Sequence, residues 1–128
     1  MTSKTNCPFC SPNIDDRIIL ECCSVAALLD SYPVTKGHVL IVPLRHTESY
    51  FTMDEIEVRD LDQILYRLRK KILAEDPTVT GFNVGTNVGF SAGQTVMHAH
   101  FHLIPRRDGD VPDPRGGVRG VIPEKQKY

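Results

Sequence analysis

Residues 96–105 read VMHAHFHLIP, a segment in which three histidines alternate with apolar residues. In an extended strand, successive side chains point to opposite faces of the sheet. His98, His100 and His102 therefore share one face, and the apolar residues between them share the other. The segment predicts a β-strand that packs one face on a core and keeps an imidazole face for chemistry. The alternative is that the three histidines line a purely structural or metal-binding face.

Four further strands are predicted from apolar runs bounded by turn residues. Two short strands lie within residues 17–30, joined near Glu21 to Ser24, and two longer ones lie at 37–46 and 80–87. The chain lacks the repeated strand-helix alternation that is typical of a parallel sheet. We therefore expect an α+β domain with an antiparallel sheet of about five strands.

One long helix is predicted between the third and fourth strands, at about residues 53–75. Thr52 and Glu55 have the spacing of a capping box, and apolar residues then recur at helical intervals with charges between them. Its apolar stripe is suited to packing on one face of the sheet.

The length and the net charge of the chain limit its domain count and its classes of partner. A chain of 128 residues fits one domain, residues 1–128, with residues 106–128 forming a polar tail rich in proline and glycine. Fifteen basic against sixteen acidic residues give a net charge of −1, which provides no field for nucleic acid or an anionic membrane. No apolar stretch resembles a secretory signal or a span of about 20 residues. These features predict a soluble, cytoplasmic protein with neither nucleic-acid nor membrane partners.

The loop GFSAGQ at residues 89–94 precedes the histidine segment. Its glycines allow the backbone to approach a phosphate, and Gln94 and Thr95 add side-chain donors near the same strand end. Neighbouring imidazoles can divide the roles of nucleophile, proton donor and orienting group, because their unperturbed pKa lies nearest neutrality. This combination suits nucleophilic attack at phosphorus.

The four cysteines fall into two pairs. Cys7 and Cys10 have the C-x-x-C spacing that chelates zinc from a tight loop, and residues 1–14 are therefore predicted to form a zinc-binding N-terminal segment. His46 is a candidate for one of the two further ligands. The competing interpretation, a redox dithiol, needs a thioredoxin-like βαβ context that the following sequence lacks. Cys22 and Cys23 sit in an apolar run and are interpreted as small core residues.

The segment GQTVMHAHFHLI resembles the signature of the histidine triad (HIT) family, and the resemblance extends over most of the chain. HLIPRRDGD after the histidines is similar to the fragile-histidine-triad branch, and the C-x-x-C is similar to that of bacterial members. The resemblance implies the HIT fold, with a shorter helix beside the long one. It also implies a homodimer, in which the long helix and neighbouring strands make the two sheets continuous.

The resemblance further assigns catalytic roles. His100 would attack the α-phosphorus and form a covalent nucleotidyl-histidine, which water then hydrolyses. His102 would orient the nucleophile, and Gly93, Gln94 and Thr95 would contact the phosphate or the leaving group. His98 would complete a structural zinc site with Cys7, Cys10 and His46, which would fix the edge of the triad and exclude His98 from free acid-base work.

Two residues outside the histidine segment are implied to bind substrate. Asp30 would bind the ribose hydroxyls and Asn87 the phosphate side of the ligand. Each also has a structural interpretation, because Asp30 suits a turn cap before Pro33 and Asn87 suits a turn before Gly89. His38, at the start of the third strand, is interpreted as structural.

The resemblance implies hydrolysis of dinucleoside polyphosphates such as diadenosine tri- or tetraphosphate, with release of a nucleoside monophosphate. Alternatives are a nucleoside phosphoramidate hydrolase, a nucleotidyltransferase or phosphorylase, a non-catalytic nucleotide-binding module, and a zinc-dependent structural module. The acceptor and the leaving group distinguish the enzymes, because all of them share the chemistry at His100.

Overall fold

The computed structural model describes residues 6–128, so residues 1–5 of the predicted zinc-binding segment, 1–14, lie outside the described residues. The five strands are β1 (Ile18–Cys22), β2 (Val25–Leu29), β3 (Val39–Pro43), β4 (Gly81–Gly85) and β5 (Phe101–Arg106). They form one antiparallel sheet in the order β1-β2-β3-β5-β4. The predicted α+β class and the strand number are confirmed.

One long helix, α1 (Glu55–Glu75), connects β3 to β4. Among residues 6–128, the shorter helix expected beside it is not found. The other helical residues form brief 3-10 turns, at Tyr50–Thr52, Phe90–Ala92, Gly117–Val121 and Pro123–Lys125. Within the described part of the chain, no helix has the length and hydropathy of a membrane span.

Two apolar clusters cover opposite faces of the sheet. Beneath α1, the helix residues Leu61, Ile64 and Leu68 pack on side chains that alternate along the strands. The apolar residues of the histidine segment belong to this cluster, as predicted: Ala99, Phe101 and Leu103. The other cluster forms from the N-terminal segment and from the alternate strand positions: Cys7, Phe9, Cys10, Ile14, Leu28, Leu40 and Val42. The N-terminal segment therefore covers part of the face that carries the histidines.

Strand β5 begins at Phe101, five residues later than predicted, so of the three histidines only His102 lies in regular strand. The register of β3 on β5 pairs Val39 with Leu103, and its continuation would pair Ala99 with Pro43. Proline has no backbone N–H to donate to the ladder. The N–H of Ala99 instead donates to the carbonyl of Thr47 at 2.7 Å, just beyond the end of β3.

The start of α1 also differs from the prediction, which placed a capping box at Thr52 and Glu55. Asp54 is the N-cap: its carboxylate accepts from the N–H of Glu57, and the Glu57 carboxylate accepts from the N–H of Asp54. Thr52 instead closes the capping box of the preceding 3-10 turn, whose N-cap is Ser49. Two boxes therefore occur in succession, and the predicted spacing falls between them.

Candidate active site and metal cluster

His100 lies on the open face of the sheet immediately before β5. Its Nδ1 is 2.9 Å from the backbone carbonyl oxygen of His98. A carbonyl oxygen can only accept, so Nδ1 carries a proton, and the neutral ring then has its lone pair on Nε2. The ring is partly exposed, and Phe9 packs against it with the ring centroids 4.9 Å apart. In the neutral form of this imidazole, Nε2 therefore has the electron pair that a nucleophile needs.

A second group of hydrogen-bonded side chains joins β3 to β5. The backbone N–H of Val34 donates to Nδ1 of His38 at 3.1 Å, which leaves the proton of a neutral His38 on Nε2. That Nε2 lies 2.9 Å from Nδ1 of His102 and 3.3 Å from Oδ2 of Asp30. Nδ1 of His102 is then an acceptor, and the proton of His102 sits on Nε2. A single backbone amide thus sets the tautomers of two histidines.

The electrostatics agree with these tautomers. Burial lowers the pKa of His38 and the pKa of His102, and the nearby carboxylate of Asp30 only partly offsets the effect. Both rings are therefore neutral at neutral pH. Sequence reasoning treated His38 as structural and missed this contact. Counting by twos along β3 places His38 on the face of His102, but only the adjacency of β3 and β5 makes that alignment meaningful.

Gln94 serves as a clamp within the loop before the histidines. Its side chain is 1% exposed. The side-chain oxygen Oε1 accepts a hydrogen bond from the N–H of Gly89 at 2.9 Å. The side-chain nitrogen Nε2 donates to the carbonyls of Glu48 at 2.8 Å and Val96 at 3.0 Å. Both amide protons are therefore used on backbone oxygens. The predicted direct contact between Gln94 and a phosphate requires breaking one of these bonds.

The backbone amides of the loop are likewise used internally. The N–H groups of Ala92, Gly93 and Gln94 donate to carbonyls within the loop, and Gly93 adopts a φ of +98° that favours glycine. The loop nevertheless brings other candidates together: Asn87 Nδ2 lies beside Gly93, and Thr95 is exposed two residues after it. The predicted cradle is thus a compact turn bordered by polar side chains.

The four predicted metal ligands converge. One ligand atom each from Cys7, Cys10, His46 and His98 lies within 4.8 Å of all the others. Nδ1 of His98 is 3.5 Å from Sγ of Cys7, 3.4 Å from Sγ of Cys10 and 3.2 Å from Nδ1 of His46. Nε2 of His98 is 2.8 Å from the carbonyl oxygen of Pro43, and this contact aims Nδ1 at the centre of the group.

The chemistry of this cluster fits a metal rather than acid-base catalysis. Burial lowers the pKa of the fully buried His98 to about 4, which keeps its imidazole neutral, as a metal ligand requires. Burial also raises the pKa of the Cys7 thiol, so a cation is needed to stabilise its thiolate there. His98 therefore faces the cysteines with its ring and reaches the active site only through its backbone carbonyl.

The HIT domain matches residues 11–109 of this chain. The protein belongs to the histidine triad family. A solved structure of a hypothetical histidine triad nucleotide-binding protein from Sulfolobus tokodaii is 37% identical, with a TM-score of 0.73, and the match covers 84% of this chain and 73% of that one.

Two other relatives of this histidine triad protein carry activities in their names. The adenosine 5'-monophosphoramidase of Candida albicans is 32% identical over 114 residues, which cover 84% of this chain and 75% of the relative. The diadenosine triphosphate hydrolase of Plasmodium falciparum is 25% identical with a TM-score of 0.65, over 85% of this chain and 71% of that structure.

The lowered pKa values of His38 and His102 predict a dependence of stability on pH. Both histidines bind protons more readily in the unfolded chain than in the folded one. Their contribution to the free energy of unfolding is therefore complete above about pH 6.5, the pKa of histidine in the unfolded chain, and it is lost as the pH falls towards the lowered pKa values of the folded protein. Urea unfolding at pH 7.5 and pH 5.5 will show a smaller loss of unfolding free energy for His38→Gln than for wild type. His98 contributes equally to the loss of unfolding free energy in both proteins, so its contribution cancels when the two losses are compared. Equal losses contradict the assignment.

Proposed function

We propose that this protein hydrolyses nucleotides at the α-phosphorus through a covalent nucleotidyl intermediate on His100. The observation that carries the proposal is the hydrogen bond between His100 Nδ1 and the carbonyl of His98, which leaves the lone pair on Nε2. A histidine with this tautomer is nucleophilic without prior deprotonation, since the neutral ring already holds the reactive electron pair.

In the first step, Nε2 of His100 forms a bond to the α-phosphorus while the bond from phosphorus to the leaving group breaks. The leaving group departs with the bonding electron pair and takes a proton from solvent. In the second step, the oxygen of a water molecule bonds to phosphorus and the water releases one proton to solvent, while the phosphorus–nitrogen bond breaks and its electrons return to His100. The products are a nucleoside monophosphate and the protonated leaving group.

His102 is proposed to orient the reacting groups. Its ring centroid lies 5.6 Å from that of His100, and its Nδ1 is held by His38. The proton on Nε2 of His102 is thus available to a phosphate oxygen that carries negative charge in the transition state. This role depends on the neutral tautomer that Val34 and His38 impose.

Asp30 is proposed to bind the ribose hydroxyls while it also shapes its turn. Oδ1 accepts from the N–H of Tyr32 at 2.8 Å, as the turn-cap interpretation expects, while Oδ2 faces His38. Asn87, Thr95 and the backbone at Gly93 are proposed to contact the phosphate. Gln94 supports them by holding the loop in place.

For the substrate we propose a dinucleoside polyphosphate, such as diadenosine tri- or tetraphosphate. The similarity of HLIPRRDGD to the fragile-histidine-triad branch supports this choice, as does the likeness to the Plasmodium hydrolase. The Candida phosphoramidase supports a second candidate, hydrolysis of adenosine phosphoramidate. Both reactions pass through the same bond to His100 and differ only in the group that leaves.

The nucleophile assignment predicts that His100→Ala abolishes turnover. Wild type and variant are incubated separately with diadenosine tetraphosphate and adenosine phosphoramidate, and the products are identified by chromatography with mass spectrometry. Wild type will release AMP, and the variant will be slower by about 10³-fold or more, as expected on loss of a covalent nucleophile. Lys71→Ala, on the exposed side of α1, will retain the wild-type rate.

The faster of the two substrates identifies the leaving group that the site prefers. Binding of both substrates without conversion by wild type contradicts hydrolysis and supports a nucleotide-binding module. AMP formation only when inorganic phosphate or another acceptor is added supports nucleotidyl transfer. Equal turnover by wild type and His100→Ala contradicts the role of His100.

We also propose that Cys7, Cys10, His46 and His98 hold a structural zinc ion. Two thiolates and two imidazoles form a complete tetrahedral set, and this donor chemistry fits zinc. Bound there, the ion supplies a cross-link between the N-terminal loop and the end of β3. That cross-link keeps Phe9 against His100 and fixes the segment whose carbonyl sets the tautomer of His100.

The zinc proposal predicts loss of stability on metal removal. Wild type will contain tightly bound zinc by elemental analysis, and chelation will lower its melting temperature by about 10 °C or more, since metal binding contributes to folding free energy. Cys10→Ser will melt near the chelated wild type and will respond little to chelator. A melting temperature of wild type that chelation leaves unchanged contradicts a structural metal.

We propose that the active form is a homodimer built on α1 and β4. An apolar groove runs between them, and two of its walls, Tyr66 and Val84, are 69% and 49% exposed. β4 stands at one end of the sheet, so a second copy can extend the sheet and cover the groove.

The dimer proposal predicts that Tyr66→Glu will halve the mass measured by light scattering, while Lys71→Glu will not. A monomeric wild type contradicts this arrangement.

A further inference from the structure

The turn between β1 and β2 carries two adjacent cysteines that take no part in the proposed hydrolysis. Cys22 is the last residue of β1, and Cys23 with Ser24 forms the turn into β2. Their sulfur atoms and a carboxylate oxygen of Asp60 on α1 all lie within 4.8 Å of one another. We propose that Cys22, Cys23 and Asp60 form a second metal site, which binds a thiophilic divalent cation such as Zn²⁺ or Cd²⁺.

The carboxylate of Asp60 is fixed in place at this turn. Its Oδ2 accepts two hydrogen bonds from Ser24, one from the backbone N–H at 3.0 Å and one from the hydroxyl at 2.6 Å. Asp60 is almost fully buried, and its bonds from Ser24 hold the carboxylate beside the two thiols. The group therefore combines an oxygen ligand with two sulfur ligands, all of them types that bind zinc.

Gln63 brings a further oxygen atom close to Cys22. It lies three residues after Asp60, on the same face of α1, and its Oε1 is 3.8 Å from Sγ of Cys22. The available donors are thus two sulfur atoms and two oxygen atoms, contributed by the hairpin and the helix. Four donors of this kind match the coordination number that zinc and cadmium adopt in proteins.

The turn holds Cys23 in a backbone conformation that is unusual for a residue with a side chain. Cys23 has a φ of +55°, and it is the one non-glycine residue with positive φ among residues 6–128. A two-residue hairpin turn requires positive φ, so the turn itself accounts for this conformation. The turn thereby fixes the position from which the Cys23 side chain projects.

The two cysteines differ in their surroundings, which corrects the interpretation of both as core residues. Cys22 is buried and packs in the cluster beneath α1, as expected, whereas Cys23 is exposed. The exposed thiol gives an ion access to a site whose other ligands are fixed. Both thiols release their protons when they bind the cation as thiolates.

This second site is separate from the Cys7 and Cys10 cluster. Cys22 belongs to the apolar cluster that α1 covers, whereas Cys7 and Cys10 belong to the cluster on the opposite face of the sheet. A cation at the second site ties the β1–β2 hairpin to α1 and does not reach the histidines. We therefore expect it to change stability and leave hydrolysis unaffected.

Cadmium titration of the reduced, metal-free protein tests the proposal, because the ultraviolet charge-transfer band of cadmium thiolate reports each occupied site. Wild type will bind two equivalents of Cd²⁺ and Cys23→Ser only one. Cys10→Ser provides the converse control, since it will keep the equivalent bound at the turn. Cadmium will also raise the melting temperature of Cys10→Ser, and this increase will be lost in the Cys10→Ser, Cys23→Ser double variant.

Cys23 is exposed and outside the active site, so Cys23→Ser is expected to fold and to hydrolyse nucleotide at the wild-type rate. That rate serves as the check that the variant is native. Retention of two equivalents by Cys23→Ser overturns the proposal, and so does a wild type that binds one equivalent which Cys10→Ser abolishes. Neither result depends on whether His100 is the nucleophile.

Discussion

The arrangement of the site depends on the two hydrogen bonds of His98. Its ring bonds to the carbonyl of Pro43 and points Nδ1 at two cysteines, while its own carbonyl accepts from the ring of His100. One residue thus connects the proposed metal ligands to the proposed nucleophile. Because a carbonyl only accepts, this connection fixes which nitrogen of His100 carries the lone pair. The N-terminal segment, the end of β3 and the start of β5 must all be in place for it to form.

The tautomers of His38 and His102 rest on a comparable restriction. A backbone amide at Val34 donates to His38, and the proton that His38 is left with points at His102. Burial keeps both rings neutral by lowering their pKa values. The proposed active site thus uses fixed backbone donors and acceptors to set side-chain protonation. Such groups cost no reorganisation during the reaction, which is the physical basis of catalysis by preorganised dipoles.

The sequence predicts the secondary-structure elements and the two faces of the sheet because the periodicity and spacing of residues are local properties. Alternation at His98, His100 and His102 correctly separated the histidine face from the core face. The C-x-x-C spacing pointed to Cys7, Cys10 and His46, and the family resemblance added His98; these four ligand atoms do converge. The start of β5 was missed because it depends on the pairing of Ala99 with a proline on another strand. The role of Gln94 as a clamp was missed because its partner, the carbonyl of Glu48, is distant in sequence. Local patterns give elements and faces, while strand adjacency decides which side chains meet.

The central claim is that phosphorus is transferred to Nε2 of His100 before water attacks. The most direct test mixes wild-type protein with diadenosine tetraphosphate, quenches the reaction in denaturant within one turnover and analyses the digested chain by mass spectrometry. We expect one adenylyl group on the peptide that contains residues 96–105, with fragmentation assigning it to His100. Turnover that proceeds with no adduct, or an adduct on His98 or His102, contradicts the account.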